Sequence, residues 1–184
     1  IYETGVDNLL AHFARAKQSP RWIFTSSTSV YAQSQGEWVD ENSPAEPDNP
    51  NSQFIRAAER KIIAANPNNI VVRFSGIYGE GREYLLRQAQ HIPAIQKNPP
   101  YFTNRIHRRD CVEVLLFLLQ QQLSGNCLEQ CYLASDDEPA STWEVMTWLA
   151  TEMGCPQPTV KISDAAEMNK RCNNQRLKAL GYQF

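Results

Sequence analysis

Ile70-Val71-Val72-Arg73-Phe74-Ser75-Gly76 reads as a short β-rich run closed by a small polar turn, and it decides the fold. Upstream, Arg21-Trp22-Ile23-Phe24-Thr25-Ser26-Ser27 has the same form, a short buried strand ending in hydroxyls. Between the two, a helix is predicted from Pro50 to Ala65, with Phe54, Ala58, Ile62 and Ala65 as its inward stripe, and Asn66-Pro67-Asn68-Asn69 breaks it. Strand, helix, strand at this spacing is a βαβ unit. It implies an α/β fold with a parallel sheet covered by helices.

Working outward, Val6, Leu9, Leu10, Phe13 and Ala14 are spaced as one apolar helix face at the start. The stretch 32–50 is rich in Pro, Asn, Ser and acids and reads as an irregular surface loop. Tyr84 to Ile92 is predicted helical and Pro93 to Pro100 connects. Asp110-Cys111-Val112-Glu113 has the form of a capping box opening a helix, Val112 to Leu123, that is apolar nearly all round and so expected to be buried. Gln130 to Ala134 is another short strand. Ser141-Thr142-Trp143-Glu144 is a second capping box, opening a helix to Met153 that Gly154 ends. A last helix runs from Asn174 to Leu180 and stops at Gly181.

The 184 residues suffice for one substantial core, and 42% of them are apolar, as in a globular domain. A net charge of -2 gives no reason to expect nucleic acid or an anionic membrane as partner. No apolar run approaches the roughly 18 residues of a membrane span. The five cysteines show no paired metal-binding spacing and read as reduced thiols of a cytoplasmic protein.

Ligands of an open α/β sheet bind at the carboxyl ends of its strands. Three such ends are legible: Thr25-Ser26-Ser27, Phe74-Ser75-Gly76 and Ala134-Ser135-Asp136. The hydroxyls from Thr25 to Thr28 can hydrogen-bond a substrate oxygen or a carboxamide, or equally satisfy the turn's own backbone. Arg82, Arg105, Lys170 and Arg171 are candidates for a substrate anion, since cationic side chains match phosphate or carboxylate. His107 reads either as a structural group or as part of that site, and Asp110 as a helix cap.

Several motifs in order resemble the extended short-chain dehydrogenases/reductases, the NAD-dependent epimerase/dehydratase family. Ile23 to Tyr31 resembles its active-site serine segment, Glu41-Asn42-Ser43-Pro44 its acidic loop and Ala58-Glu59 part of its active-site helix. Arg73-Phe74-Ser75-Gly76-Ile77-Tyr78-Gly79-Glu80-Gly81-Arg82 is similar to its Arg-x-x-x-x-Tyr-Gly-Pro-Gly-Arg run, with Glu80 for the proline. Ile106-His107-Arg108-Arg109-Asp110, Tyr132 to Pro139 and Asn169 to Asn174 match further segments.

The resemblance implies a Rossmann-like sheet lacking its first strands, with roughly 100 residues and a Gly-rich phosphate turn expected before Ile1. It divides the chain into a remainder of the dinucleotide-binding domain, 1–82, and a small substrate-side C-terminal α/β portion, 83–184, whose strand 130–134 returns to the main sheet. It makes Ser27 the catalytic hydroxyl and puts Thr25, Ser26, Phe74, Ser75 and Gly76 beside an NAD or NADP cofactor that this stretch alone holds weakly. Arg82, Arg105, His107, Lys170 and Arg171 become the substrate side. Homodimerisation through the helices Glu3 to Lys17 and Asn51 to Ala65 is also implied.

One departure matters. The family's acid/base Tyr and its partner Lys fall here on Asn51 and Ile55, which cannot titrate in their place. Tyr31 is the nearby phenol, either a replacement acid or a structural group. Two functions follow from the resemblance: hydride transfer on a nucleotide sugar or related small molecule, or a non-catalytic dinucleotide-binding sensor or scaffold.

Overall fold

The computed structural model describes residues 2–15, 20–162 and 169–184. The parallel unit forms as the apolar pattern dictates. Helix α1 (Thr4–Phe13) leads to strand β1 (Ile23–Ser27), a single 3-10 turn (Thr28–Val30), strand β2 (Glu37–Val39), helix α2 (Pro50–Ala65) and strand β3 (Ile70–Phe74). Asn49 starts α2 by accepting the Ser52 N–H at 2.9 Å, with Pro50 in the first turn where its missing N–H costs nothing. At the other end the buried Asn69 side chain donates to the Ile62 carbonyl at 2.7 Å and accepts from Trp22 N–H at 2.8 Å, tying helix exit to strand entry.

The remaining elements are β4 (Gly76–Tyr78), α3 (Tyr84–Gln90), β5 (Ala94–Gln96), β6 (Phe102–Thr103), β7 (Arg105–His107), α4 (Arg108–Leu123), β8 (Cys131–Ala134), β9 (Ala140–Ser141), α5 (Thr142–Glu152), β10 (Thr159–Lys161), β11 (Lys170–Cys172) and α6 (Gln175–Ala179). The main sheet has the order β1-β3-β8, all parallel. Strand β3 is central and buried at all five residues, and its side chains alternate between two layers. Ile70, Val72 and Phe74 pack with Val114 and Leu118 of α4 and Leu177 of α6. Arg73 turns the other way, toward α2. On that side Val6 of α1 packs on Ala58 and Ile62.

Several expectations are corrected. The loop 32–50 and the connection Pro93 to Pro100 each contain a strand, because distant segments supply partners: β2 pairs with β11 and β5 with β10. Gly76–Tyr78 also becomes a strand, against β7. The inward stripe of α2 is Ile55, Ala58, Glu59 and Ile62, with Phe54 46% exposed, because a buried polar residue takes a position that apolar spacing would not assign. Helix α4 begins at Arg108 with His107 as its cap, ahead of Asp110. Only one side of α4 is buried (Cys111, Val114 and Leu118), while Val112, Leu116, Leu119 and Leu123 are exposed. The capping box at Ser141 and Glu144 forms as expected, and Gly154 takes a positive φ after α5. The part of the expected first helix that reaches Lys17 lies outside the described residues.

One buried network joins these layers. Glu59, fully buried on α2, accepts from Arg73 Nε at 2.9 Å and Nη2 at 2.7 Å, from Ser26 Oγ at 2.6 Å and from Arg56 Nη1 at 2.7 Å. Arg73 Nη1 also donates to Tyr31 Oη at 2.7 Å, whose own O–H donates to the Asp40 carbonyl at 2.7 Å. Burial pushes the Glu59 carboxyl up, but its bonds and charge contact with Arg73, helped by Ser26 and Arg56, more than offset this and leave it below its ordinary 4.5.

Breaking such a pair from one side strands the other charge, a loss of about 3–5 kcal/mol. Glu59→Gln should therefore lower the urea midpoint sharply, and Glu59→Leu with Arg73→Met should recover much of the loss. The lowered carboxyl also makes stability fall as pH drops below 4.5, where protonation removes the charge that Arg73 needs. Urea melts of the wild type and Glu59→Gln at neutral pH and below 4.5 check this: the gap between the two should shrink in acid.

Candidate functional site

The turn after β1 is built by its own hydroxyls. Ser27 Oγ accepts from Ser29 N–H at 3.1 Å and so starts the 3-10 turn. The Ser27 proton thereby remains a donor with no acceptor among the described residues. Ser29 Oγ receives a hydrogen bond from Ser52 Oγ of α2 at 2.9 Å. Thr28 is buried and hydrogen-bonds the Cys172 thiol, whose pKa burial pushes up to about 12.

Ser27, Thr28 and Ser29 form one wall of a cavity of about 570 Å³. Tyr84, Asn104 and Lys170 contribute other walls. Lys170 is 7% exposed, and its Nζ donates to the Tyr31 carbonyl at 2.9 Å. Burial lowers the pKa of this ammonium from the usual 10.5. Two asparagines hold β11 there. Asn104 donates to the Lys170 carbonyl at 2.8 Å and accepts from Cys172 N–H at 2.7 Å. Asn169 accepts from Phe102 N–H at 2.8 Å and donates to the Pro100 carbonyl at 3.0 Å.

The residues expected from sequence thus part company. Ser27 and Lys170 both line this cavity. Arg171, next along β11, points elsewhere: its guanidinium lies between the Trp38 and Phe102 rings, 5.0 and 4.9 Å from their centroids, and donates to the Gly36 carbonyl at 2.8 Å. His107 caps α4 through a 3.4 Å bond from Arg109 N–H to its Nδ1, and packs edge-on against Tyr78. A Cβ at Gly79 (φ 132°) would meet His107 Nε2 at 2.9 Å, so this turn needs glycine. Arg82 and Arg105 line a second cavity of about 690 Å³, between α3 and α5, which shares only Leu85 with the first.

Of the hydroxyls expected beside a cofactor, Thr25 is exposed on β1, while Ser26 is committed to Glu59. Phe74 is buried in the main core and Gly76 N–H donates to the Asn104 carbonyl at 3.0 Å. Ser75 Oγ is buried without a hydrogen-bond partner among the described residues, an orphan at the carboxyl end of β3. Tyr31 is structural: burial raises its pKa, and its hydroxyl is used by Arg73 and Asp40. Sequence reading missed Asn104, which sits one residue before the arginine that drew attention; its side-chain partners lie on a strand 66 and 68 residues away.

Comparison with known proteins identifies the family and the fold. A family model described as the NAD dependent epimerase/dehydratase family matches residues 3–129. Protein YeeZ of Escherichia coli (strain K12) is 30% identical over 129 residues, which is 68% of this chain and 43% of YeeZ. A candidate NAD-dependent epimerase/dehydratase from Methylobacillus flagellatus superimposes with a TM-score of 0.82 at 33% identity, over 97% of this chain and 64% of that one. The UDP-glucose 4-epimerase of Thermus thermophilus, solved with NAD, shares the fold at a TM-score of 0.75 and 19% identity, over 100% of this chain and 64% of its own. The chain therefore spans less than half of YeeZ and about two thirds of these structures.

The lowered Lys170 pKa is open to a direct measurement. In a carbon NMR titration of the lysine side chains, with Lys170→Met used for assignment, Lys170 should lose its proton at lower pH than the exposed lysines. If it titrates together with them, the buried ammonium described above is wrong.

Proposed function

The chain belongs to the NAD-dependent epimerase/dehydratase family, and from that premise we propose that it is part of an NAD(P)-binding oxidoreductase that transfers hydride on a nucleotide sugar or related small molecule. The observation that carries the reading is one cavity lined by both Ser27, at the carboxyl end of β1, and the buried Lys170.

Each of the two groups has a defined task. The turn fixes Ser27 Oγ through the Ser29 N–H and leaves its O–H free to donate to a substrate carbonyl or alkoxide oxygen. Lys170 adds positive charge to the same cavity, and its lowered pKa makes it a better proton donor than an exposed lysine. The two offer acid and electrostatic chemistry that the positions of the resembling Tyr and Lys do not, since Asn51 is exposed and Ile55 is packed among Val30, Tyr31 and Leu133. Thr25 is exposed and can meet a nicotinamide edge, whereas the buried Ser26, Phe74 and Ser75 offer it only backbone. When bound, the nicotinamide supplies and takes back the hydride.

The second reading, a dinucleotide-binding sensor without turnover, is favoured by Asn51 and Ile55 alone. The two readings separate in the full-length protein. NADH or NADPH should bind, as followed by cofactor fluorescence. Ser27→Ala should then cut turnover of UDP- or dTDP-sugars by about 10²–10³-fold, with cofactor affinity unchanged. Unaltered turnover in Ser27→Ala would falsify the role of Ser27, and cofactor binding without any turnover would favour the sensor.

A further inference from the structure

Two segments that line the Ser27 cavity, Tyr101 to Asn104 and β11, are joined by a pair of side chains and not by a strand ladder. Asn104 donates to the Lys170 carbonyl at 2.8 Å and accepts from the Cys172 N–H at 2.7 Å. Asn169 does the same in return: it donates to the Pro100 carbonyl at 3.0 Å and accepts from the Phe102 N–H at 2.8 Å. Each carboxamide thus bonds a carbonyl and the N–H two residues further on, in the segment that carries the other. The exchange is reciprocal.

A carboxamide can do this because it holds an acceptor and a donor side by side, as the backbone of a neighbouring strand does. Strand β11 is three residues long, and β2 covers one of its edges, where the Asn173 N–H donates to the Val39 carbonyl at 2.8 Å. The Lys170 carbonyl and the Cys172 N–H belong to the other edge. Both residues are buried, so these groups need partners, and Asn104 supplies them. The clamp is itself tied to the main sheet. The Asn104 carbonyl accepts from the Gly76 N–H at 3.0 Å, just past β3, and Lys170 Nζ donates to the Tyr31 carbonyl at 2.9 Å, past β1. Were the first tie cut, the second would hang on a flexible four-carbon stem whose rotamer freedom favours release to water.

We propose that Asn104 and Asn169 are positioning residues, whose exchanged carboxamides fix β11 so that the Lys170 ammonium stays in the wall of the Ser27 cavity. Neither is asked to touch a ligand, since the oxygen and nitrogen of each carboxamide are already bonded to backbone. That Lys170 then serves hydride transfer rests on the proposed function; that the clamp holds Lys170 does not.

The test reads Lys170 itself, by the carbon NMR titration of the lysine side chains, in Asn104→Ala and Asn169→Ala. Burial lowers the Lys170 pKa, so in each variant its midpoint should move up toward those of the exposed lysines as the ammonium reaches water. Asn69→Ala controls for lost stability alone. The buried Asn69 also bonds a carbonyl and an N–H, those of Ile62 and Trp22, but at the amino ends of β1 and β3. Its loss should lower the urea midpoint and leave Lys170 unmoved. In the full-length protein, kcat on UDP- or dTDP-sugars should fall about 10²-fold in the two clamp variants and hold in Asn69→Ala. Where one clamp variant fails to fold, the other carries the test. In the unsubstituted protein the Asn104 Nδ2 protons should exchange more slowly than those of exposed asparagines. A Lys170 midpoint that stays put in a folded clamp variant, one that moves as far in Asn69→Ala, or fast exchange at Asn104 would each overturn the proposal. Shifted midpoints with kcat unchanged, or with no turnover even in the wild type, support the clamp and count against hydride transfer through Lys170.

Discussion

A carboxylate with no exposure to solvent sits at the centre of this molecule, and the rest is arranged so that Glu59 can remain charged there. Two nitrogens of Arg73, one of Arg56 and the Ser26 hydroxyl reach it, from β3, α2 and β1 respectively. Such a pair gains little over an apolar core of the same shape, because desolvation offsets most of the attraction. What it imposes is register. Ser26 pairs with Arg73 across the parallel ladder, so both side chains leave the sheet on the α2 face at the same level. A slip of one residue would send them to opposite faces and strand the charge. The third nitrogen of Arg73 then sets Tyr31, and Tyr31 sets the loop at Asp40. The site turn, Ser27 to Val30, is held between these two fixed points.

How much of this was legible in the sequence depends on how far each feature reaches. Local patterns were readable: the five apolar-flanked residues of β3, the Ser141 capping box, the limits of α2. Features fixed by distant partners were not. Strands β2, β4 and β5 are three residues each, and nothing local distinguishes them from loop until β11, β7 and β10 come alongside. The apolar composition of α4 suggested burial all round, but a helix laid on one side of a three-stranded sheet has only one side to cover. The loop Glu41 to Pro44 shows both cases. Its acidic residue was noticed, yet its task was hidden: Glu41 accepts the Leu133 N–H at 2.7 Å and closes part of the outer edge of β8.

The candidate site divided along the same line. The hydroxyl run was visible because it is contiguous. Lys170 and Arg171 were equally visible as cations, and sequence could not rank them. Strand alternation does. In β11 the residue that points toward the turn is Lys170, and its neighbour is carried to the other side, against Trp38 and Phe102. Arg82 and Arg105, grouped with Lys170 by charge alone, are kept from it by Leu85 and belong to a separate space.

The positions at which the resembling family carries its Tyr and Lys clarify why the cation arrives from β11. Both lie on the first turns of α2, the face that meets the 3-10 turn. Here that face is used for packing. Ser52 donates to Ser29, and Ile55 is 9% exposed among Val30, Tyr31, Val39 and Leu133. A lysine at 55 would place its charge in an apolar cluster that also holds the Arg73-bound phenol, and the desolvation cost would find no carboxylate to repay it, because Glu59 is already saturated by Arg73 and Arg56. A charge beside Ser27 must then enter from outside α2. β11 meets that requirement: Asn104 and Asn169 tie it to the 100–104 segment, and its lysine reaches the turn by donating to the Tyr31 carbonyl. Burial there lowers the Lys170 pKa, whereas within the network Glu59 and Arg73 hold each other charged, the acid lowered and the base raised.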